Sequence, residues 1–159
     1  MGTTLLAPTK PKGAVLPTLS LKQPWLYCIT AFDKRAENRT WAPSLDLLGR
    51  RIALHASKNI EISEWRAAAE IEPKLAAVTT TNLVTGAIVA TAVLSGVVWT
   101  RDGGAVTKFA GKSGRDYDPA VDRWFFGPVV WILEDVRNLA EPVPAKGNQG
   151  LWRSSQLFI

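Results

Sequence analysis

The chain of 159 residues is predicted to take an α+β fold, and three observations predict it. Segments in which apolar and polar residues alternate, the period of a half-buried strand, recur from Leu19 to Leu133. Two short stretches, Trp25–Phe32 and Ser63–Ile71, read as helices instead, one by the spacing of its apolar residues and one by its alanine content. Hydrophobic content is 47%, ordinary for a globular chain, and neither an internal repeat nor a linker interrupts it. One domain over residues 18–159 is therefore expected, preceded by a flexible N-terminal arm over residues 1–17 that holds three prolines and no acidic residue.

The densest stretch runs from Leu19 to Trp41. Leu19 and Leu21 alternate with Ser20 and Lys22 as a strand. Pro24 suits the first turn of a helix, where a missing N–H costs nothing. Trp25, Cys28, Ile29 and Phe32 then form one apolar stripe. After Asp33 the alternation returns, with Arg35, Glu37 and Arg39 on one face and Ala36 and Asn38 on the other. Charges on a strand face beside Trp25 and Trp41 suit the floor of a pocket for a planar anionic ligand; the plainer reading is a solvated strand over a tryptophan core.

Residues from Trp41 to Gly49 form a loop, and Arg50 to Ser57 the next strand, with Ile52, Leu54 and Ala56 on one face and His55 and Ser57 on the other. A lone histidine is more often a satisfied structural residue than a functional one, although His55 lies at a strand end next to Lys58, where pockets open. A Ser57–His55 nucleophile pair is disfavoured, because residues two apart on a strand do not meet in the geometry of proton abstraction. Ser63 is expected to cap the helix that Pro73 ends. Residues from Val78 to Thr100 carry no charge and are long enough to raise a membrane span. Their Thr, Ser, Gly and β-branched content instead favours a long buried strand, central over Gly86–Leu94, and no membrane partner is expected.

Arg101 to Arg115 is expected to be a polar, glycine-rich loop able to touch phosphates. Its Gly111-Lys112-Ser113 matches only the tail of a phosphate-binding loop, since Val106 stands where the first glycine belongs. Asp118 and Pro119 suggest a short helix reaching Trp124. The strand over Phe125–Glu134 is apolar on both faces and so central. Pro142 and Pro144 favour extended backbone, Lys146-Gly147-Asn148 a turn, and Leu151 and Trp152 a return to the core.

Charge is uneven along the chain. Residues 1–58 hold nine Lys/Arg against three Asp/Glu, a net of +6, and residues 59–159 hold ten against eleven, a net of −1. A basic excess interleaved with aromatics points to a polyanion, most simply nucleic acid. The single Cys28 cannot form an internal disulfide, which fits a reducing cytoplasm, and its place on the apolar stripe makes it an inert thiol. One Cys and one His cannot supply the usual zinc ligands, so neither a metal nor another cofactor is expected.

Four ordered blocks carry a resemblance: Leu19-Ser20 with Gln23-Pro24-Trp25; Lys34, Glu37, Arg39 and Trp41; Gly49-Arg50 through Ala56; and Pro144, Lys146-Gly147-Asn148 and Trp152. Together they resemble the ASCH domain of the PUA-like superfamily. That resemblance implies a small mixed β-barrel with a few short flanking helices, whose last block closes near the pocket and brings Lys146 and Asn148 toward Lys34 and Arg39. It further implies a ligand site drawn from Gln23, Trp25, Lys34, Glu37, Arg39, Trp41, His55, Ser57, Lys58, Lys146 and Asn148.

Three functions follow from the resemblance. PUA-like barrels commonly bind RNA or modified nucleotides, and a monomeric reader of RNA, ahead of DNA, is the leading expectation. Aromatic faces can stack bases, cations can meet phosphate, and Glu37 can accept from an exocyclic amine. The second is a hydrolase, either a ribonuclease or an amidohydrolase on 4-acetylcytidine, with Lys34 and Glu37 as catalytic residues. Relatives with the amidohydrolase activity use a lysine, a threonine three residues later and a distant glutamate; here Lys34 matches the lysine and Glu37 replaces the threonine. The third is a protein-interaction module, for which no dedicated motif is present. A carboxylate flanked by Lys34, Arg35 and Arg39 is a better hydrogen-bond acceptor than base, so the residues themselves favour reading a ligand over proton abstraction.

Overall fold

The computed structural model describes residues 15–154. The arm expected over residues 1–17 falls outside that range as far as residue 14, and Pro17 already opens the first strand. In chain order the elements are β1 (Pro17–Gln23), α1 (Trp25–Ala31), β2 (Ala36–Arg39), β3 (Arg51–Ile60), α2 (Ile62–Ile71), β4 (Ala87–Arg101), β5 (Ala105–Ala110), α3 (Lys112–Asp116), β6 (Val129–Pro144) and β7 (Leu151–Arg153).

The seven strands form one sheet in the order β2-β6-β4-β3-β1-β7, with β5 also on β4. It is a mixed α+β fold whose sheet curls into a half barrel flanked by three short helices. Only β1 and β3 run parallel. β4 is the long spine: Ala87–Val93 pairs with β3, Val97–Arg101 pairs with β5, and β6 follows its other edge. Register shifts interrupt the β4–β6 ladder at three places. Such bulges bend a strand and increase its twist, which is what a curling sheet needs.

The core divides at the sheet because side chains on neighbouring strand positions point to opposite faces. Val129, Trp131 and Leu133 join Leu19, Leu21, Leu54 and Leu94 in one cluster. Val130 and Ile132 join Cys28, Val98 and Trp124 in the other. Over Val129–Leu133 β6 is therefore apolar on both faces and lies inside the sheet, as its sequence predicts. Cys28 is fully buried, and burial pushes its thiol up to about 12. α1 buries Leu26 as well as Cys28 and Ile29, with Trp25 and Phe32 packed partly buried on the second cluster.

Four local expectations need correction. The loop expected from Arg101 to Arg115 contains β5 and α3, because Ala105–Ala110 finds the edge of β4 that β3 leaves unpaired. α3 then sits directly on β4, where Gly96 lets the Gly114 backbone approach closer than any Cβ would allow. The helix expected from Asp118 to Trp124 is instead a pair of aspartate-stabilised turns, in which Asp118 Oδ1 accepts from Ala120 N and Asp122 Oδ1 from Trp124 N, each at 2.9 Å. α2 is entered from Glu61 without a side-chain cap, so Ser63 lies inside the helix. The strand expected over Phe125–Glu134 begins later, at Val129, and continues through Pro144. Among the described residues, no helix is long and apolar enough to cross a membrane.

Candidate functional site

Two adjoining hollows lie where β2 faces the end of β1 across the open side of the half barrel. The inner one, about 300 Å³, is lined by Trp25, Lys34, Glu37, Asn38, Glu64, Ala67 and Phe126. The outer cleft, about 1290 Å³, brings Glu37, Arg39, Trp41, His55, Ser57 and Lys58 together with Lys146 and Asn148 of the segment between β6 and β7. Glu37, Asn38 and Glu64 line both, so the two spaces adjoin at these side chains.

At the floor, Lys34 is almost wholly buried, its side chain 2% exposed. A buried ammonium is tolerated only with partners. Its Nζ donates to Ala36 O and, at 3.1 Å, to Glu37 Oε1, and it stands 5.8 Å from the centre of the Trp25 ring. Arg39 Nε lies 3.0 Å from Glu37 Oε2 as an ion-pair contact, its N–H turned away from hydrogen-bond alignment. Glu37 is thus held between two cations, and both of its oxygens are engaged from the protein side.

Arg39 has a second task. Its Nη2 donates to Ser20 O at 2.7 Å, which ties β2, at one edge of the sheet, to β1 near the other. One guanidinium therefore fastens the open side of the half barrel, and only part of it remains for a ligand.

The back wall of the outer cleft is a hydrogen-bonded hub. His55 Nε2 lies 2.8 Å from Ala145 O, which can only accept, so in the neutral ring Nε2 carries the proton. Nδ1 then accepts from the Ser20 hydroxyl at 3.0 Å, and Ser20 Oγ accepts from Trp152 Nε1 at 3.1 Å. The Trp152 ring packs edge-on against His55. Gly147 lies against the same group, where a Cβ would come within 2.7 Å of His55 Cε1 and 2.9 Å of Ser20 Oγ. His55 is the satisfied histidine that its lone occurrence suggests. Three sequence blocks far apart in the chain meet on it.

Gln23 is the predicted site residue that lies in neither hollow. Its amide is spent inside the fold, Nε2 donating to Val84 O and Oε1 accepting from Tyr27 N in the first turn of α1, both at 2.9 Å. Trp25 and Lys34 line the inner hollow, and the remaining predicted residues line the outer cleft, with Glu37 in both.

Asn38, Glu64, Phe126 and the hub residue Ser20 belong to the site without having been singled out by sequence. Asn38 holds the wall: Oδ1 accepts from Phe126 N and Gly127 N, and Nδ2 donates to Trp124 O. Glu64 reads in sequence only as a first-turn helix acid, yet its Oε1 accepts from Trp25 Nε1 at 2.6 Å. Trp25 packs edge-on against Trp124 and Phe126. Behind this wall, Glu72 accepts from Lys74 N and Arg123 Nη2, which anchors the 118–127 segment to the end of α2; these partners hold its carboxyl below the usual range.

No family model matches the chain, and no curated protein is detectably similar to it. The site offers an aromatic-walled hollow of ligand size with a buried ion pair at its base. That hollow adjoins a cleft bearing Lys22, Arg39, Lys58 and Lys146 against two carboxylates, Glu37 and Glu64. Lys22 is paired with Glu61, while Lys58 and Lys146 have no ion-pair partner among the described residues.

Proposed function

We propose that this protein is a PUA-like domain of the ASCH type that binds RNA, with one base in the inner hollow and the adjoining sugar-phosphate along the basic cleft. The observation that carries the reading is that the two spaces adjoin at Glu37, Asn38 and Glu64. An unstacked base needs an aromatic wall to lie against, which Trp25 and Phe126, packed edge-on, supply, and its backbone needs cations beside that wall, which Lys58 and Lys146 supply. A duplex does not fit a hollow of about 300 Å³, so the target is a single strand or a nucleotide drawn out of its stack. The ASCH assignment draws support from the meeting of its sequence blocks at Ser20, His55, Gly147 and Trp152. The same proposal takes the protein to act as a cytoplasmic monomer.

A hydrolase is the second reading, and one observation favours it: Glu64 shares the inner hollow with Lys34 and Glu37, adding a carboxylate from a distant part of the chain. Against it, Lys34 Nζ is almost wholly buried and tied as a donor to Ala36 O and Glu37, which gives a substrate little access to it as a nucleophile or base. Incubation with single-stranded RNA, single-stranded DNA and 4-acetylcytidine, read by both complex formation and product mass, tests the two together. A complex with RNA and no product is expected, weakening with salt at a log–log slope of about −0.7 per neutralised phosphate. Product formed at catalytic protein concentration would replace the reader with the hydrolase, and failure to bind either nucleic acid would overturn the proposal.

A further inference from the structure

Resting on the nucleotide reading, we infer that the inner hollow selects a base bearing an amino group over uracil, and that Glu64 sets the choice. The aromatic walls cannot discriminate, because every base has a face to stack. Selection must come from polar groups left unspent, and most donors at the hollow are spent. Trp25 Nε1–H goes to Glu64, and the Asn38 amide is tied at both ends to the 124–127 segment, Oδ1 accepting twice and one of its two N–H groups donating to Trp124 O. Two of the three Lys34 N–H groups go to Ala36 O and Glu37.

Acceptors predominate in what remains, beside one N–H of Lys34 and one of Asn38. Glu64 Oε2 has no hydrogen-bond partner among the described residues. Each Glu37 oxygen has one cation beside it and a second lone pair to offer. Adenine, cytosine and guanine each present an exocyclic amine to such a wall. Uracil presents a single N–H between two carbonyl oxygens, and those oxygens would face carboxylates. A site whose acceptors go unmatched rejects the ligand that cannot donate to them.

Glu64→Gln reverses the local polarity rather than merely removing a charge. Trp25 Nε1–H demands an acceptor at 2.6 Å, so the new amide turns its oxygen to Trp25 and its NH₂ to the hollow. The variant therefore offers a donor where the wild type offers an acceptor.

The test uses RNA pentamers of uridine differing only at the central nucleotide, which is adenine, cytosine, guanine, uracil or N6,N6-dimethyladenine. The wild-type protein is expected to bind the first three at least about tenfold more tightly than uracil, within the range set by one lost pair of base contacts. Dimethyladenine keeps the stacking face without the donors and is expected to fall to the level of uracil. In Glu64→Gln the preference for amino bases is expected to shrink or invert. Equal binding of all five pentamers to the wild type, or of adenine and dimethyladenine alike, overturns the inference while the nucleotide reading stands. If no pentamer binds, the nucleotide reading itself fails and takes the inference with it. The wild-type series decides even if the variant does not fold.

Discussion

Gly147→Ala is expected to cost about 2 kcal/mol of stability, within the range of about 1–3 kcal/mol typical of forcing extra atoms into a packed site. A Cβ built on Gly147 meets His55 Cε1 at 2.7 Å, Ser20 Oγ at 2.9 Å and His55 Nδ1 at 3.0 Å. Comfortable carbon contacts begin near 3.5 Å, so the misfit is several tenths of an ångström or more. His55 cannot absorb it cheaply: the ring is 1% exposed and is bonded at both nitrogens, to Ser20 and to Ala145. Moving the ring forfeits two hydrogen bonds of about 1 kcal/mol each, and lifting the 145–150 segment forfeits the bond to Ala145 and the packing around it. Urea unfolding followed by tryptophan fluorescence measures the effect as a lower midpoint at unchanged slope. The decisive arm is a double-mutant cycle with His55→Ala. Removing the ring makes room for the methyl group, so most of the Gly147→Ala penalty should vanish there, giving a coupling above about 1 kcal/mol. A Gly147→Ala protein within about 0.5 kcal/mol of wild type, or a penalty unchanged in the His55→Ala background, would refute the hub as drawn.

Lys34→Met removes one of the two cations that hold Glu37 and should destabilise by about 2 kcal/mol, less than a fully stranded charge would cost because Arg39 remains beside it; Lys34→Met with Glu37→Gln should recover part of that in the same urea assay. Glu37→Gln alone should weaken or re-tune ligand choice, and a loss of turnover by orders of magnitude with binding intact would instead make Glu37 a base. Glu72 has its carboxyl held below 4.5, first by the Lys74 backbone N–H and then by Arg123. Its contribution is therefore complete above that value and lost as pH falls through the lower folded value; midpoints measured from about pH 6 to about pH 3 should decline less steeply in Glu72→Gln than in wild type. Cys28, pushed up to about 12 by burial, should be unreactive toward a thiol reagent in the native protein at neutral pH and should react fully in denaturant.

What the sequence makes legible is local and periodic. β6 announces itself by apolar residues on both faces, and the long uncharged run ending at Thr100 gives β4 through its β-branched content. Illegible are the elements that exist only because something else is already in place. β5 is exposed along most of its length and carries no buried stripe; it is a strand because β4 extends beyond β3 and offers it an edge. The site divides the same way. Lys34, Glu37 and Arg39 share one strand region and can be read together, whereas Glu64 and Phe126 reach the same hollow from α2 and from a turn. Gln23 misleads because its block lies beside the pocket while its amide serves α1. Arg39 misleads in degree, since its charge is legible and its fastening of the sheet is not.

β7 pairs only three residues with β1, Pro17 with Arg153, Thr18 with Trp152 and Leu19 with Leu151. Without them β1 would be the border of the sheet, offering the unsatisfied backbone of a strand that buries Leu19 and Leu21 to any neighbouring chain. Exposed apolar borders of that kind recruit further strands, whereas a very short border strand ending in a charge, as β7 does at Arg153, recruits poorly. The Trp152 that reaches into the Ser20–His55 hub thus also anchors a guard against self-association. Changes made to loosen the hub for functional study, Trp152→Ala above all, should raise aggregation together with any change in binding, and light scattering belongs beside every binding curve measured on them.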